Sequence, residues 1–98
     1  MKIDTKKYLL PENNYINVET IKKQIIIGHT GTSKMRHFQK WTNRLNGDYK
    51  KTAAFTIDAS GKIYRHFDPI YFSDFLGNLE LDKKSIVILL ENEGWLAK

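Results

Sequence analysis

The stretch Lys23-Gln24-Ile25-Ile26-Ile27-Gly28-His29-Thr30 carries the strongest structural signal in the chain. Its β-branched residues are apolar on both faces, which predicts a central strand over 24–27, buried between layers. Gly28 ends that strand. The following loop, Gly31-Thr32-Ser33, is expected to provide Thr32 or Ser33 as the N-cap of a helix.

Apolar residues recur at helical spacing after this loop. The spacing predicts an amphipathic helix from Lys34 to about Leu45, and Gly47 is expected to stop it. The residues that form its apolar stripe are Met35, Phe38, Trp41 and Leu45.

The second half of the chain predicts a hairpin and another buried strand. Residues 53–57 and 62–67 flank a turn in which Gly61 supplies a positive φ. An aromatic segment over 70–76 and a polar connection then lead to a strand over Ser85 to Leu90. This order predicts an α/β fold, a mixed β-sheet flanked by helix, with a ligand site at the carboxyl ends of strands.

Composition limits the architecture and the chemistry. The 98 residues are expected to form a single domain, 1–98, on which residues 1–23 pack as an N-terminal arm. There is no cysteine, which excludes disulfide scaffolds, zinc ribbons and thiol nucleophiles. The net charge of +5 favours anionic partners. The apolar runs are too short to span a bilayer and no secretory h-region is present, so a cytoplasmic protein is expected.

The loop before the helix is the first candidate ligand site. Unpaired N–H groups and the helix dipole make a helix amino terminus attractive to anions, although ordinary capping explains the same residues. The predicted ligand-binding residues here are His29, Thr30, Thr32, Ser33 and Arg36.

Aromatic residues form the second candidate site. Tyr71, Phe72 and Phe75 place three aromatic rings within five residues, which suggests contact with a ligand or partner. Trp95 is expected to cover an open sheet edge or to form a dimer seam. The lysine pairs are dispersed along the chain, as on a solvated surface, and predict no specific nucleic-acid binding.

Several strings in this order resemble the zinc-dependent N-acetylmuramoyl-L-alanine amidases, the family that includes phage endolysins and peptidoglycan recognition proteins. The matching segments together span about residues 8–96, and they are 23–30, the helix ending near Trp41, 55–64, 67–72 and 85–96. The resemblance implies a truncated amidase-like fold. It also implies an ancestral zinc enzyme that cleaves the bond between N-acetylmuramic acid and L-alanine.

Five positions depart from the pattern of that family. The resemblance places the first zinc-binding His at Gly28, leaving the neighbouring His29, and the second at Phe75. It places the family's oxyanion-stabilising Tyr at Ala53 and its acidic strand residue at Leu89. The third zinc ligand belongs to a carboxyl-terminal segment that this sequence is expected to lack.

These departures argue against a catalytic metal. Zinc in a hydrolase needs three protein ligands and an open position for water, and neither Gly28 nor Phe75 has a lone pair to offer. We therefore predict no catalytic residues, no metal and no cofactor. A zinc site rebuilt from His29, His37 or His66 remains an alternative, although His37 should lie off the apolar stripe and away from His66.

The sequence thus favours a non-catalytic, phage-derived amidase-like protein whose former active-site cleft binds or sequesters a ligand. A small anionic, nucleotide-type signal, sequestered to evade host immunity, or a host protein would suit this cleft. Residual muropeptide binding and true amidase activity, with unconventional ligands or a partner chain completing the site, are the alternatives. No membrane partner is expected, and a homodimer is possible.

Overall fold

The computed structural model describes residues 2–32 and 34–91. These residues contain a five-stranded sheet. The strand order is β1-β4-β3-β5-β2, with β3 and β4 antiparallel and the other three pairs parallel. The predicted α/β class with a mixed sheet is therefore confirmed. The strands are β1 (Ile3–Asp4), β2 (Gln24–His29), β3 (Phe55–Ile57), β4 (Ile63–Arg65) and β5 (Ser85–Leu90).

The hairpin and the last strand agree with the sequence pattern. β5 has the predicted bounds, whereas β3 and β4 are shorter than the predicted segments. Gly61 has a φ of +92°, a conformation that glycine adopts without strain. The Asp58 carboxylate accepts hydrogen bonds from the backbone N–H groups of Ser60 and Lys62, both at 2.9 Å, and so closes the turn.

The first predicted strand forms, but its expected central position is wrong. β2 runs from Gln24 to His29 and pairs with β5 at the end of the strand order. Ile25 and Ile27 are 60% and 58% exposed. A run of β-branched residues reports a preference for extended backbone, and it does not report whether a second layer covers both faces.

The sheet has one buried and one open face. Alternate residues are buried in β3, β4 and β5, and those of β2 are half-buried. Thr56, Tyr64, Val87 and Leu89 lie on the buried face, where Trp41 and Phe67 complete the core. The partners of Ile25 and Ile27 on β5, Ile86 and Ile88, are only half-buried on the opposite face.

The main helix, α1 (Arg36–Asn43), is shorter at both ends than the predicted helix. Lys34 and Met35 adopt left-handed backbone conformations, with φ of 56° and 58°, so helical geometry begins only at Arg36. Beyond α1, the 3-10 turn Arg44–Gly47 contains a left-handed Leu45 that is 71% exposed. The assignment of Leu45 to the apolar stripe is wrong, whereas Met35 and Trp41 are buried as predicted, and His37 is buried beside Trp41.

A second, short helix was not anticipated. α2 (Leu79–Lys83) replaces part of the predicted polar connection. Asn78 occupies its N-cap position, and the Asn78 side chain accepts a hydrogen bond from the backbone N–H of Leu81 at 3.2 Å. An N-cap Asn followed by acidic residues in the first turn is the available sequence signal.

The N-terminal segment is joined to the rest of the fold by specific hydrogen bonds. Asn14 is fully buried, and its side-chain amide donates to the backbone carbonyls of Trp41 and Tyr49 at 2.9 and 2.8 Å. The backbone N–H of Leu10 donates to the carbonyl of His66 at 2.8 Å. These contacts hold the end of α1 and the segment around Tyr49 in place.

Candidate functional site

Two adjoining cavities of about 270 and 180 Å³ form a cleft at the carboxyl ends of β2 and β5. Both cavities are lined by Thr30, His37, Trp41 and Tyr49. The larger also contacts His29, Lys51, Phe75 and Leu89, and the smaller Thr32, Lys40 and Arg44. This is the end of the sheet at which the strand order predicts a ligand site.

The lining of the cleft combines positive charge with aromatic rings. Lys40, Arg44 and Lys51 contribute basic groups, and no Asp or Glu is among the described residues that line it. The Arg44 guanidinium lies 5.3 Å from the centroid of the Tyr49 ring, within the range of a cation–π contact. A planar anion would meet attraction from the basic groups and a stacking surface from the rings.

The floor of the cleft is made of carbon. A Cβ atom added at Gly28 would lie 3.0 Å from Cδ2 of Leu89 and 3.5 Å from Cζ of Phe75. The three positions that the amidase resemblance assigns to two zinc ligands and an acidic residue therefore lie against one another. None of these side chains offers a lone pair, so the residues present do not fit the zinc ion that the resemblance implies.

The other candidate metal ligands do not assemble either. In residues 2–32 and 34–91, no group of three or more His, Asp and Glu side chains is arranged to hold a metal ion. His37 and His66 do approach each other, with ring centroids 6.2 Å apart. Their Nε2 atoms, however, are both hydrogen-bonded to the hydroxyl of Thr56, which lies between them.

This convergence of His37 and His66 corrects the expectation that the two rings would lie apart. His37 Nε2 is 3.0 Å from Thr56 Oγ1, which is 2.7 Å from His66 Nε2. His66 Nδ1 is 2.7 Å from the carbonyl oxygen of Tyr8. His37 is one helical turn before Trp41 on the buried face of α1, so it lies beside the predicted stripe and not away from it.

The hydrogen-bond chain has only one consistent arrangement of protons when both rings are neutral. Burial lowers the pKa of His37 and of His66 to about 4, so both are neutral at pH 7. The Tyr8 carbonyl can only accept, so His66 Nδ1 carries the proton and His66 Nε2 accepts from the Thr56 hydroxyl. The Thr56 oxygen must then accept from His37 Nε2, which leaves His37 Nδ1 as an unprotonated acceptor.

The predicted anion site at the helix amino terminus already has an anionic partner. The backbone N–H of Met35 donates to Oε2 of Glu91 at 2.6 Å. Met35 holds the N-cap position without a side-chain cap, so the predicted N-cap role of Thr32 is wrong. Because the Glu91 carboxylate is at this helix end, a second anion there would experience repulsion.

The individual loop residues are placed as follows. The Thr30 hydroxyl donates to the carbonyl oxygen of Thr32 at 2.7 Å, which stabilises the loop, and both threonines line the cleft. His29 also lines it. Arg36 is exposed and is not among the residues that line either cavity, and Ser33 lies outside the described residues.

The aromatic residues of the second candidate site separate in the structure. Phe75 lines the cleft. Tyr71 instead stacks on Tyr15, with centroids 5.7 Å apart, and Phe72 is 3% exposed and bridges to Ile16. The structure therefore packs Tyr71 and Phe72 against the N-terminal segment. Trp95, expected at a sheet edge or dimer seam, lies outside the described residues.

Several residues that line the cleft are not among the ligand-binding residues predicted from the sequence. His37, Lys40, Trp41 and Arg44 occur at relative positions 0, 3, 4 and 7, the spacing of a single helical face. That spacing was the available signal for a cleft-facing row. Tyr49 and Lys51 lie in an irregular segment, where no periodicity exists to indicate the direction of a side chain.

Comparison with known proteins identifies no relative of this chain. The chain matches no protein-family model, no curated protein and no solved structure. Within residues 2–32 and 34–91, none of the helices has the length and apolar character needed to cross a membrane.

Proposed function

We propose that this protein is a non-catalytic binding protein, an amidase-like scaffold of phage origin that sequesters a small anionic molecule in the cleft. A nucleotide-type ligand, with a planar ring and a phosphate group, has the chemistry that suits it. The observation that carries the proposal is the lining of the cleft by Lys40, Arg44 and Lys51 beside Trp41 and Tyr49. Its proposed location is the cytoplasm.

The positions of these groups suggest how such a ligand is held. Lys40 and Arg44 belong to the smaller cavity, where they would attract the phosphate. Trp41 and Tyr49 line both cavities and offer surfaces for the ring. Together the cavities reach the lower end, about 300 Å³, of the volumes typical of small-molecule sites.

The chemistry of the cleft supports binding without hydrolysis. Phe75 and Leu89 fill the space above Gly28 with carbon, so this floor provides neither a metal ligand nor an acid. His37 is the buried base nearest to a ligand in the cleft, but a pKa of about 4 makes it a weak proton acceptor at neutral pH. These properties favour a site that retains its ligand unchanged.

Calorimetric titration with the 5′-monophosphates of adenosine, guanosine, cytidine and uridine tests this proposal. We expect at least one to bind, with an affinity that falls as salt rises. Lys40→Ala and Arg44→Ala should each weaken binding about tenfold, which corresponds to about 1.4 kcal/mol. Lys6→Ala, which removes an exposed charge from the N-terminal segment, is the matched control and should bind like the parent protein.

Failure of all four nucleotides to bind would contradict the proposal, as would an equal loss of affinity in Lys6→Ala. Muropeptide binding in the same titration would instead favour a residual cell-wall function. Stoichiometric zinc in the purified protein together with clearing of a cell-wall suspension would establish the amidase alternative. Binding of a host protein that nucleotides do not displace would direct attention to a different face.

A further inference from the structure

His37 has a polar atom that the fold leaves unused. The residue is 4% exposed and lines both cavities of the cleft. Its Nε2 is hydrogen-bonded to Thr56, but its buried Nδ1 has no hydrogen-bond partner among the described residues. Buried polar atoms in folded proteins nearly always have a partner, so an orphaned atom beside a cleft calls for one.

A chain of hydrogen bonds that starts at the Tyr8 carbonyl determines whether His37 Nδ1 donates or accepts. Hydrogen bonds link His37 Nε2 to Thr56, Thr56 to His66 Nε2, and His66 Nδ1 to the backbone carbonyl of Tyr8. This carbonyl cannot donate a hydrogen bond. Reversing the chain would leave the lone pair of His66 Nδ1 facing the lone pairs of that carbonyl. His37 Nδ1 therefore acts as an acceptor, and the group that satisfies it must carry a hydrogen.

We infer that His37 Nδ1 selects the ligand of the cleft by accepting a hydrogen bond from an N–H or O–H group on it. This inference rests on the proposed function and narrows the ligand class. The molecule must present a donor as well as an anionic group, as an amino-bearing or hydroxyl-bearing nucleotide does. Thr56 and His66 act as positioning residues that hold the imidazole in the required tautomer.

The placement of the charges agrees with a single small ligand. Lys40 lies three residues after His37 on α1, a rise of about 4.5 Å along the helix axis. Trp41 follows Lys40 directly, one helical turn after His37, and its ring centroid lies 4.8 Å from that of His37. A donor, a ring and an anionic group within one nucleotide-sized molecule can therefore engage all three. Because Nδ1 is buried, the ligand must displace neighbouring side chains slightly to reach it.

Nitrogen-15 NMR of the imidazoles tests the inference without altering the protein. The spectrum of the free protein should show His37 protonated at Nε2 and unprotonated at Nδ1. Saturation with whichever of the four nucleoside monophosphates binds most tightly should shift the Nδ1 resonance upfield, as occurs when a lone pair accepts a hydrogen bond. Nε2 should stay protonated throughout.

Two substitutions provide a matched pair. His37→Asn places an amide oxygen near the former Nδ1, whereas His37→Gln extends a polar group towards Thr56 and leaves the Nδ1 position empty. We expect His37→Gln to weaken binding of the same nucleotide at least tenfold and His37→Asn to stay within about threefold of the parent protein. Circular dichroism identifies a variant that has failed to fold, and the NMR measurement still decides in that case.

The outcomes separate this inference from the proposed function. Nucleotide binding that leaves the Nδ1 resonance unchanged, or a free His37 protonated at Nδ1, would overturn the inference while the proposed function stands. Absence of binding by all four nucleotides would overturn both.

Discussion

His37 and His66 make the stability of the protein depend on pH. Burial lowers the pKa of both side chains from 6.5 to about 4. Above pH 6.5 both rings are neutral in the folded and unfolded chains, so stability is at its full value. As the pH falls below 6.5, only the unfolded chain takes up protons, and stability is lost until the pH reaches about 4.

We expect urea unfolding to report a loss of roughly 2 kcal/mol per imidazole between pH 7 and pH 5. This window lies above the pH at which carboxylates titrate, so the acidic residues contribute little to the change. Measurements between pH 7 and 8 serve as the control and should show no loss from these two groups. A free energy of unfolding that stays constant from pH 7 to pH 5 would contradict the buried, neutral state of the pair.

Gly28 is a second residue whose neighbours predict a measurable effect. An alanine Cβ there would lie 3.0 Å from Cδ2 of Leu89, a tighter contact than most Cβ atoms make, so the Leu89 side chain would have to move. Gly28→Ala should therefore lower the free energy of unfolding by about 1–3 kcal/mol, the usual cost of overpacking. Chemical denaturation of the variant measures it.

The matched test is the double variant Gly28→Ala with Leu89→Val, which shortens the obstructing side chain. In a double-mutant cycle, the two substitutions together should cost less than the sum of the single effects. Strict additivity would mean that the methyl group is accommodated elsewhere and that Leu89 does not limit the space above Gly28.

At the scale of the element, the sequence pattern predicts the type of an element better than its surroundings. β5 and the hairpin agree with expectation because strand alternation and the Gly61 turn are encoded within a few residues. The position of β2 at the edge depends on which other strands pair with it, which its own residues do not specify. α2 was missed because a five-residue helix offers little periodicity.

The length of α1 shows how a local backbone conformation limits a helix that the apolar spacing predicts to be longer. Met35, Phe38, Trp41 and Leu45 fit one helical stripe only if the helix continues from 34 to 45. Left-handed residues on both sides limit it to Arg36–Asn43, and Leu45, in the turn that follows, is exposed to solvent. Such conformations are uncommon outside glycine and Asn, so propensity alone does not anticipate them.

The cleft lies at the carboxyl ends of strands, and four of the predicted ligand-binding residues line it, namely His29, Thr30, Thr32 and Phe75. Their role in ligand binding stays a prediction. The basic side chains of the cleft are Lys40 on α1, Arg44 in the turn after α1, and Lys51. The amino terminus of α1 is occupied by the Glu91 carboxylate, which accepts a hydrogen bond from the backbone N–H of Met35. A contact between residues 56 positions apart, Met35 and Glu91, has no local sequence signal.

At the scale of the whole molecule, the open face of the sheet is largely apolar, with Arg65 and His29 as the polar residues among its strands. Apolar side chains that are exposed or half-buried occur on it in all five strands, and they are Ile3, Ile25, Ile27, Phe55, Ile57, Ile63, Ile86, Ile88 and Leu90. The five strands contain 20 residues. With strands about 4.8 Å apart and a rise of about 3.3 Å per residue, this face measures roughly 320 Å² in plan. That is at the lower end of the range for the largest apolar patch on a monomer.

We expect a second copy of this chain to cover the open face. Two identical sheets packed face to face about a two-fold axis bury the same patch on both subunits. At roughly 320 Å² per subunit the patch is smaller than the 800 Å² or so that each partner contributes to a standard interface, so we expect a weak, concentration-dependent dimer. Light scattering and sedimentation at increasing concentration should therefore show a dimer, and added salt should not dissociate it because the contact is apolar.

Single substitutions on the sheet separate this contact from unspecific association. Ile25→Lys and Ile27→Lys each place a charge within the contact, where burial without a partner is costly, and should shift the protein to monomer. Leu45→Lys is the control, since Leu45 is 71% exposed but belongs to the turn after α1 rather than to the sheet, and should remain dimeric. A parent protein that stays monomeric at 100 µM would refute self-association, as would a dimer that both sheet substitutions leave intact.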